Sequence, residues 1–427
     1  FNTVGLPPEL GPAAAVLQGR IAEGLDIPTD ALRFYQAAAD STDREAAAQG
    51  RLRALALRYD KGEIARNDMI AELETLTAIW RGDETEVEGQ QWLARLYTEE
   101  NRYRDAFRVM RAAITAHPNA RATRLIQDGA AATFESLFIG GRSDALPPVE
   151  ALGLFYDYRE LTPIGRRGDE MIRRLADRLA SVELFEQAAE LLQHQVDHRL
   201  QGAARAQVAT RLAVIYLMNR QPDRALGTLR ATRNGDMTTE LRTQRLLIEA
   251  RALADVGRGP LALEVIEKLQ SPEAQRLRAD ILWGAKRWAE AGEQFERLTG
   301  SRWKDFTPLT PDDRQDVLRA AVAYSMANET IGLGRLRERF AAKMKDSPDN
   351  AAFEIATGPR GALDPEFGKV ATTVASYDAL TRFLAALRER YPETGAFARP
   401  MPDVPAAPQP APAPSARRDD KMRTAQR

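Results

Sequence analysis

Residues 87–120 read VEGQQWLARLYTEENRYRDAFRVMRAAITAHPNA, and this stretch decides the fold. Leu93, Ala94 and Tyr97 lie on one helical face before a polar break at Asn101 and Arg102; Tyr103, Ala106, Met110 and Ala113 lie on one face after it. A 3.6-residue period on both sides of a short polar break describes two amphipathic helices folded back on each other. Ala94 and Ala106 belong where those helices cross, because only a small side chain lets two backbones approach closely enough for Tyr97, Tyr103 and Met110 to pack around them. Pro118 has no backbone N–H and closes the second helix.

The same register recurs downstream. It appears as Leu175, Ala176, Leu179, Phe185, Ala188 and Leu192, then as Leu212, Ala213, Tyr216, Ala225 and Leu229. Two further copies use Ala250, Leu253, Ala262 and Ile266, then Ala279, Leu282, Trp288, Ala291, Phe295 and Leu298. Their starts at Asp169, Ala206, Thr243 and Pro272 are 37, 37 and 29 residues apart, so loops absorb the drift. A weaker copy aligns Gly19, Ala22, Ala31, Tyr35 and Ala38, with Pro28 opening its second helix. Residues 46–59 and 67–80 form another pair, joined at Lys61 and Gly62.

With its 34-residue length, one small residue in each helix and a closing proline, the 87–120 segment resembles the tetratricopeptide repeat family, in a bacterial member. That resemblance implies an all-α, right-handed superhelical solenoid of antiparallel helix pairs, working as a non-catalytic scaffold for a protein or peptide partner. The expected organisation is N-terminal helix pairs over 1–120, an irregular joint over 121–168, the main array over 169–304 and a C-terminal helical segment over 305–397. In that last segment, helices are expected at 314–328, 333–345 and 376–391. Residues 398–427, rich in Pro and Ala and then charged, read as a disordered tail.

Composition agrees with an array of helices and removes several functions. Aromatic residues make up 7% of the 427, and 60 basic residues balance 61 acidic ones without a long run of either sign, which disfavours nucleic acid or anionic lipid as partner. With no cysteine, disulfides, thiolate zinc sites and cysteine nucleophiles are excluded. No apolar stretch approaches the length of roughly 20 residues that spans a bilayer. The chain begins at Phe1, so a signal or anchor lost upstream is one expectation. Periplasm and cytoplasm both remain open, with a lean to the periplasm and to an assembly part of the cell envelope as the alternative function.

Chemistry-bearing motifs are sparse. His194 and His198 stand four apart on a helix, but Gln195 occupies the place where a zinc hydrolase needs Glu, and the sequence offers no third ligand. No phosphate loop and no nucleophile elbow occur, so no cofactor, metal or catalytic residue is expected.

What the resemblance implies instead is a groove lined by the first helix of each repeat. Counted from each repeat start, its positions include Arg173 and Asp177; Thr210, Val214, Leu217 and Met218; Leu247 and Arg251; and Arg276, Asp280 and Trp283. Val214, Leu217, Met218, Leu247 and Trp283 would form an apolar patch rimmed by Arg173, Arg251 and Arg276, unless the next repeat or the loop after residue 300 buries it. The family's clamp for a C-terminal carboxylate uses Lys and Asn where this chain has Thr210, Val214 and Leu247, so that mode is not expected.

Overall fold

The computed structural model describes residues 7–81, 84–118 and 121–392; the expected tail at 398–427 lies outside them. The described residues form helices and turns, with no strand among them. The chain divides into two compact units, Phe1–Met171 and Ile172–Arg427.

The first unit contains α1 (Gly11–Gly24), α2 (Pro28–Ala39), α3 (Arg44–Asp60), α4 (Arg66–Ile79), α5 (Glu84–Glu99), α6 (Tyr103–Ala116), α7 (Arg121–Phe138) and α8 (Pro148–Asp157). Helix α9 (Arg166–Ser181) runs through the division. The second unit continues with α10 (Phe185–His198), α11 (Gly202–Met218), α12 (Pro222–Ala231), α13 (Thr239–Asp255), α14 (Gly259–Val265), α15 (Pro272–Gly284) and α16 (Trp288–Thr299). It ends with α17 (Pro311–Met326), α18 (Thr330–Met344), α19 (Asn350–Thr357), α20 (Phe367–Ala375) and α21 (Ala379–Arg390). The stretch 121–168 is helical over α7 and α8, with its turn signals confined to 139–147 and 158–165.

One local device repeats along the chain. The first helix of each pair ends in a residue with positive φ: Asp26, Gly62, Asn101, Glu183, Arg220, Gly257, Lys286 and Asn328. The residue after it donates its N–H to a carbonyl five positions back, as in Arg102 to Tyr97 (2.8 Å), Gln221 to Tyr216 (2.8 Å) and Glu329 to Tyr324 (2.9 Å). This is the Schellman turn, which satisfies the last carbonyls of a helix and reverses the chain in three residues. Most of these positions hold a side chain in the left-handed region, where a Cβ costs about 1 kcal/mol and glycine costs nothing. Lys286→Gly, at an exposed site, is therefore expected to raise stability by up to about 1 kcal/mol, offset in part by the looser unfolded chain. Urea denaturation of the two proteins measures it; a loss of stability would contradict the turn assignment.

The crossing residues behave as their size requires. Ala94 and Ala106, Ala176 and Ala188, Ala213 and Ala225, Ala250 and Ala262, and Ala279 and Ala291 are all buried. Between α16 and α18 the small residue is glycine. A Cβ on Gly292 or Gly332 would come within 2.7 or 2.8 Å of the Tyr324 ring, which fills the space between the two helices.

The hydroxyl of that buried ring organises charge. Tyr324 Oη donates to Glu296 Oε2 (2.7 Å), and Glu296 also accepts from Arg335 (2.8 and 2.7 Å) and Arg339 (2.9 Å). Burial by itself would raise the Glu296 carboxyl, but the bonds from Arg335 and Tyr324 and the two nearby guanidinium charges outweigh it, leaving the pKa below its ordinary 4.5. A carboxyl depressed on folding stabilises the protein fully above its unfolded pKa, and that contribution disappears as pH falls through the folded value. Glu296→Gln should lower the melting temperature near neutral pH and shrink the further fall on going to about pH 3. Parallel acid profiles for variant and wild type would contradict this.

Candidate protein-binding groove

Helices α9, α11, α13 and α15 hold the residues expected to line the groove, and the structure corrects several of them. Thr210, Val214, Leu217 and Leu247 are 0%, 1%, 1% and 0% exposed, so three of the five residues of the expected apolar patch lie in the interior. The physical reason is in α11 itself: residues 208–217, VATRLAVIYL, are buried without interruption, and a helix apolar all round is an interior helix. Thr210 is a structural acceptor. Its hydroxyl donates to Ala206 O (2.7 Å) and accepts from Arg245 (3.0 Å), whose guanidinium also reaches Ala206 O, Leu229 O and Thr232. Burial pushes the Arg245 pKa down to about 10.

Met218 and Trp283 are half-buried. The Trp283 ring stands edge-on to Trp288 and Phe295, with ring centroids 5.2 and 6.0 Å away.

The charged candidates form a ladder between successive first helices. Asp177 of α9 pairs with Arg211 of α11. Arg276 of α15 holds Asp316 of α17 through two bonds of 2.7 Å, and Asp280 of α15 holds Arg319 of α17 at 2.5 Å. The Arg319 guanidinium also lies over Trp283 and Phe295, 5.0 and 4.5 Å from their centroids. Arg251 pairs within α13 with Asp255 at 2.9 Å, and Arg173 is half-buried. Of the expected cationic rim, Arg276 is a joint between repeats and Arg251 pairs along its own helix.

The helix expected over 376–391 is present, but the sequence did not show that it lies against these first helices. Helix α21 packs on α15 and buries Leu380, Phe383, Leu387 and the following Tyr391. Asp378 caps it, accepting from the N–H groups of Leu380 (3.0 Å) and Thr381 (3.2 Å), and stands 3.8 Å from Arg220 at the α11–α12 turn. Arg382 reaches Asp316 at 3.2 Å and Asp312 at 3.3 Å on α17. Helix α21 therefore bridges α15 and α17, with its cap beside the α11–α12 turn. A signal was present: Asp312, Asp316 and Arg319 fall at i, i+4 and i+7 on one side of α17, matching a base on an apolar-striped helix 66 residues further on. Beside α21 lies a cavity of about 260 Å³ whose lining includes Arg251, Asp255, Trp283, Arg319 and Tyr377.

His194 and His198 do share a helical face, with ring centroids 5.0 Å apart. Among the described residues no group of three or more His, Cys, Asp or Glu is placed to hold a metal ion, and no helix is long and apolar enough to cross a membrane.

Antiparallel helix pairs, Schellman turns and small crossing residues give the described residues an all-α, tetratricopeptide-like fold. No protein-family profile matches the chain, and no curated protein does. Among solved structures it is similar to the crystal structure of the P58(IPK) TPR domain, at 10% identity over 86% of this chain and 99% of that one, with a TM-score of 0.25. An overlay that loose adds nothing to what the helix pairs themselves display.

Proposed function

We propose that this chain is a non-catalytic interaction scaffold that receives a helical segment of a partner protein on the shared face of α11, α13, α15 and α17. One observation carries the reading: that face already accommodates an amphipathic helix, α21, by the same combination of apolar burial and charge pairing through which grooves of this kind take up helices. The half-buried Trp283 beside a cavity supports it, since a partly covered aromatic in a pocket is a common anchor at interfaces. The buried titratable groups, such as Asp280, Glu296, Asp316 and Arg319, support the absence of chemistry, because each is engaged in holding helices together.

The test is a photo-crosslinking amino acid placed at Trp283, and separately at exposed Leu261 on the second helix α14, in the intact protein in its native cell. Adducts to a partner protein from position 283 and not from 261 are expected. Adducts from 261 alone would sink the groove assignment.

A further inference from the structure

The buried ion pairs beside α21 have partners within the array itself. Asp316, 2% exposed, accepts from Arg382 at 3.2 Å, yet it keeps two 2.7 Å bonds from Arg276 of the neighbouring repeat. Asp280 and Arg319 hold each other without help from α21. Two further polar links of α21 are solvent-accessible: Asp312 and Asp378 are well exposed, and the Arg220–Asp378 pair is long at 3.8 Å. On departure of α21, Asp316 would keep Arg276 and the Asp280–Arg319 pair would stay intact.

The apolar side of α21 also follows the spacing of a groove ligand. Leu380, Phe383, Leu387 and Tyr391 stand at i, i+3, i+7 and i+11, with Arg382 beside them and Asp378 as cap. A three-residue link, Ser376 to Asp378, connects it to α20, whose Phe367, Val370 and Val374 belong to the main core of the unit.

We propose that α21 is a resident ligand of the groove, and that the partner is an amphipathic helix of the same chemistry, with aromatic or aliphatic residues at i, i+3, i+7 and i+11 and a base at i+2, which enters by displacing it. This rests on the scaffold reading above and adds the partner's chemistry and the means of regulation. A groove occupied by its own helix binds a competitor with an affinity reduced by the fraction of time it is open.

The experiment uses the full chain and a labelled synthetic peptide of residues 376–392. Arg382→Glu faces Asp312 and Asp316 with like charge and should release α21, so the peptide is expected to bind this variant roughly tenfold more tightly than wild type. Adding Asp312→Arg restores an ion pair for the resident helix and should return affinity toward the wild-type value. A peptide carrying Phe383→Asp should not bind either protein. Hydrogen exchange on wild type is the second measurement, and it needs no variant to fold. Amides of 379–391 are expected to exchange roughly a hundredfold faster than those of α15 and α17.

Equal peptide binding to wild type and Arg382→Glu, or exchange of α21 in step with α15, would overturn the proposal. The two readings fail separately. If the crosslinker at Trp283 captures a partner equally well in wild type and Arg382→Glu, the scaffold stands and displacement falls. If capture occurs only at Leu261, the groove itself falls, whatever the peptide does.

Discussion

Asp316→Ala should destabilise the second unit by about 3–5 kcal/mol, the range for removing one partner of a buried ion pair. Asp316 is 2% exposed and is the common acceptor for Arg276 on α15 and Arg382 on α21. Its removal leaves two guanidinium groups facing each other in a partly buried space. Arg382 retains Asp312, which is solvent-exposed and compensates little, while Arg276 loses both short bonds. Most of that loss is the cost of the stranded charge and not the net worth of the pair. A double replacement, Arg276→Met with Asp316→Leu, should therefore recover much of the stability lost by Asp316→Ala. Urea denaturation followed by circular dichroism, with hydrogen exchange resolving α15 and α17, measures all three proteins. A double variant no more stable than the single one would show that the ion pair contributes more than its desolvation costs.

Gly50→Ala is expected to cost about 3 kcal/mol, at the upper end of the usual range for overpacking. Gly50 lies where α3 crosses α2, and a Cβ there would meet Tyr35 O at 2.5 Å and Ala39 N at 2.7 Å. These are backbone atoms of a helix, so relief requires the two helices to separate, with loss of contacts around Tyr35 and Ala38, both fully buried. The same substitution at Gly129, inside α7 with nothing within 4 Å of the added carbon, should stabilise by about 1 kcal/mol through helix propensity. Thermal unfolding of the two single variants distinguishes them by sign. A shift in the same direction for both would mean that the α2–α3 crossing tolerates a methyl group.

Those two glycines show where reading a sequence stops. Both sit in helical runs with nothing local to separate them, and the difference lies in whether another backbone passes within reach. Ala94 and Ala106 were legible as crossing residues because a repeating register announces the crossing; Gly50 belongs to a pair whose register has drifted. The groove shows the same limit at Thr210 and Leu247. Counting positions along a first helix assigns them to the inner face, but exposure depends on how closely the neighbouring helices approach. Only the unbroken apolar run of α11 hinted at the answer. The ion pairs are less legible still: Arg276 and Asp316 are 40 residues apart, and Arg382 and Asp316 are 66 apart.

The short helices α19 and α20 were missed for a different reason. Gly358, Pro359, Gly361 and Pro365 read as punctuation, which is correct for the turns between these helices. They also mask the stripe of Phe367, Val370 and Val374, too brief to establish a period. At the other end of the scale, the final helix was visible from its own apolar stripe, yet its place in the molecule was not.

By itself, the sequence determined the helix pairs and most reversals between them, because those features arise from interactions three to five residues apart, and it determined the small crossing residues where the register repeats. Tertiary structure alone decided which first-helix residues are buried, which acids meet which arginines, and that the final helix lies across the face expected to receive a partner. Those outcomes depend on side chains brought together from dozens of residues away, and the spacing within a single repeat carries no record of them.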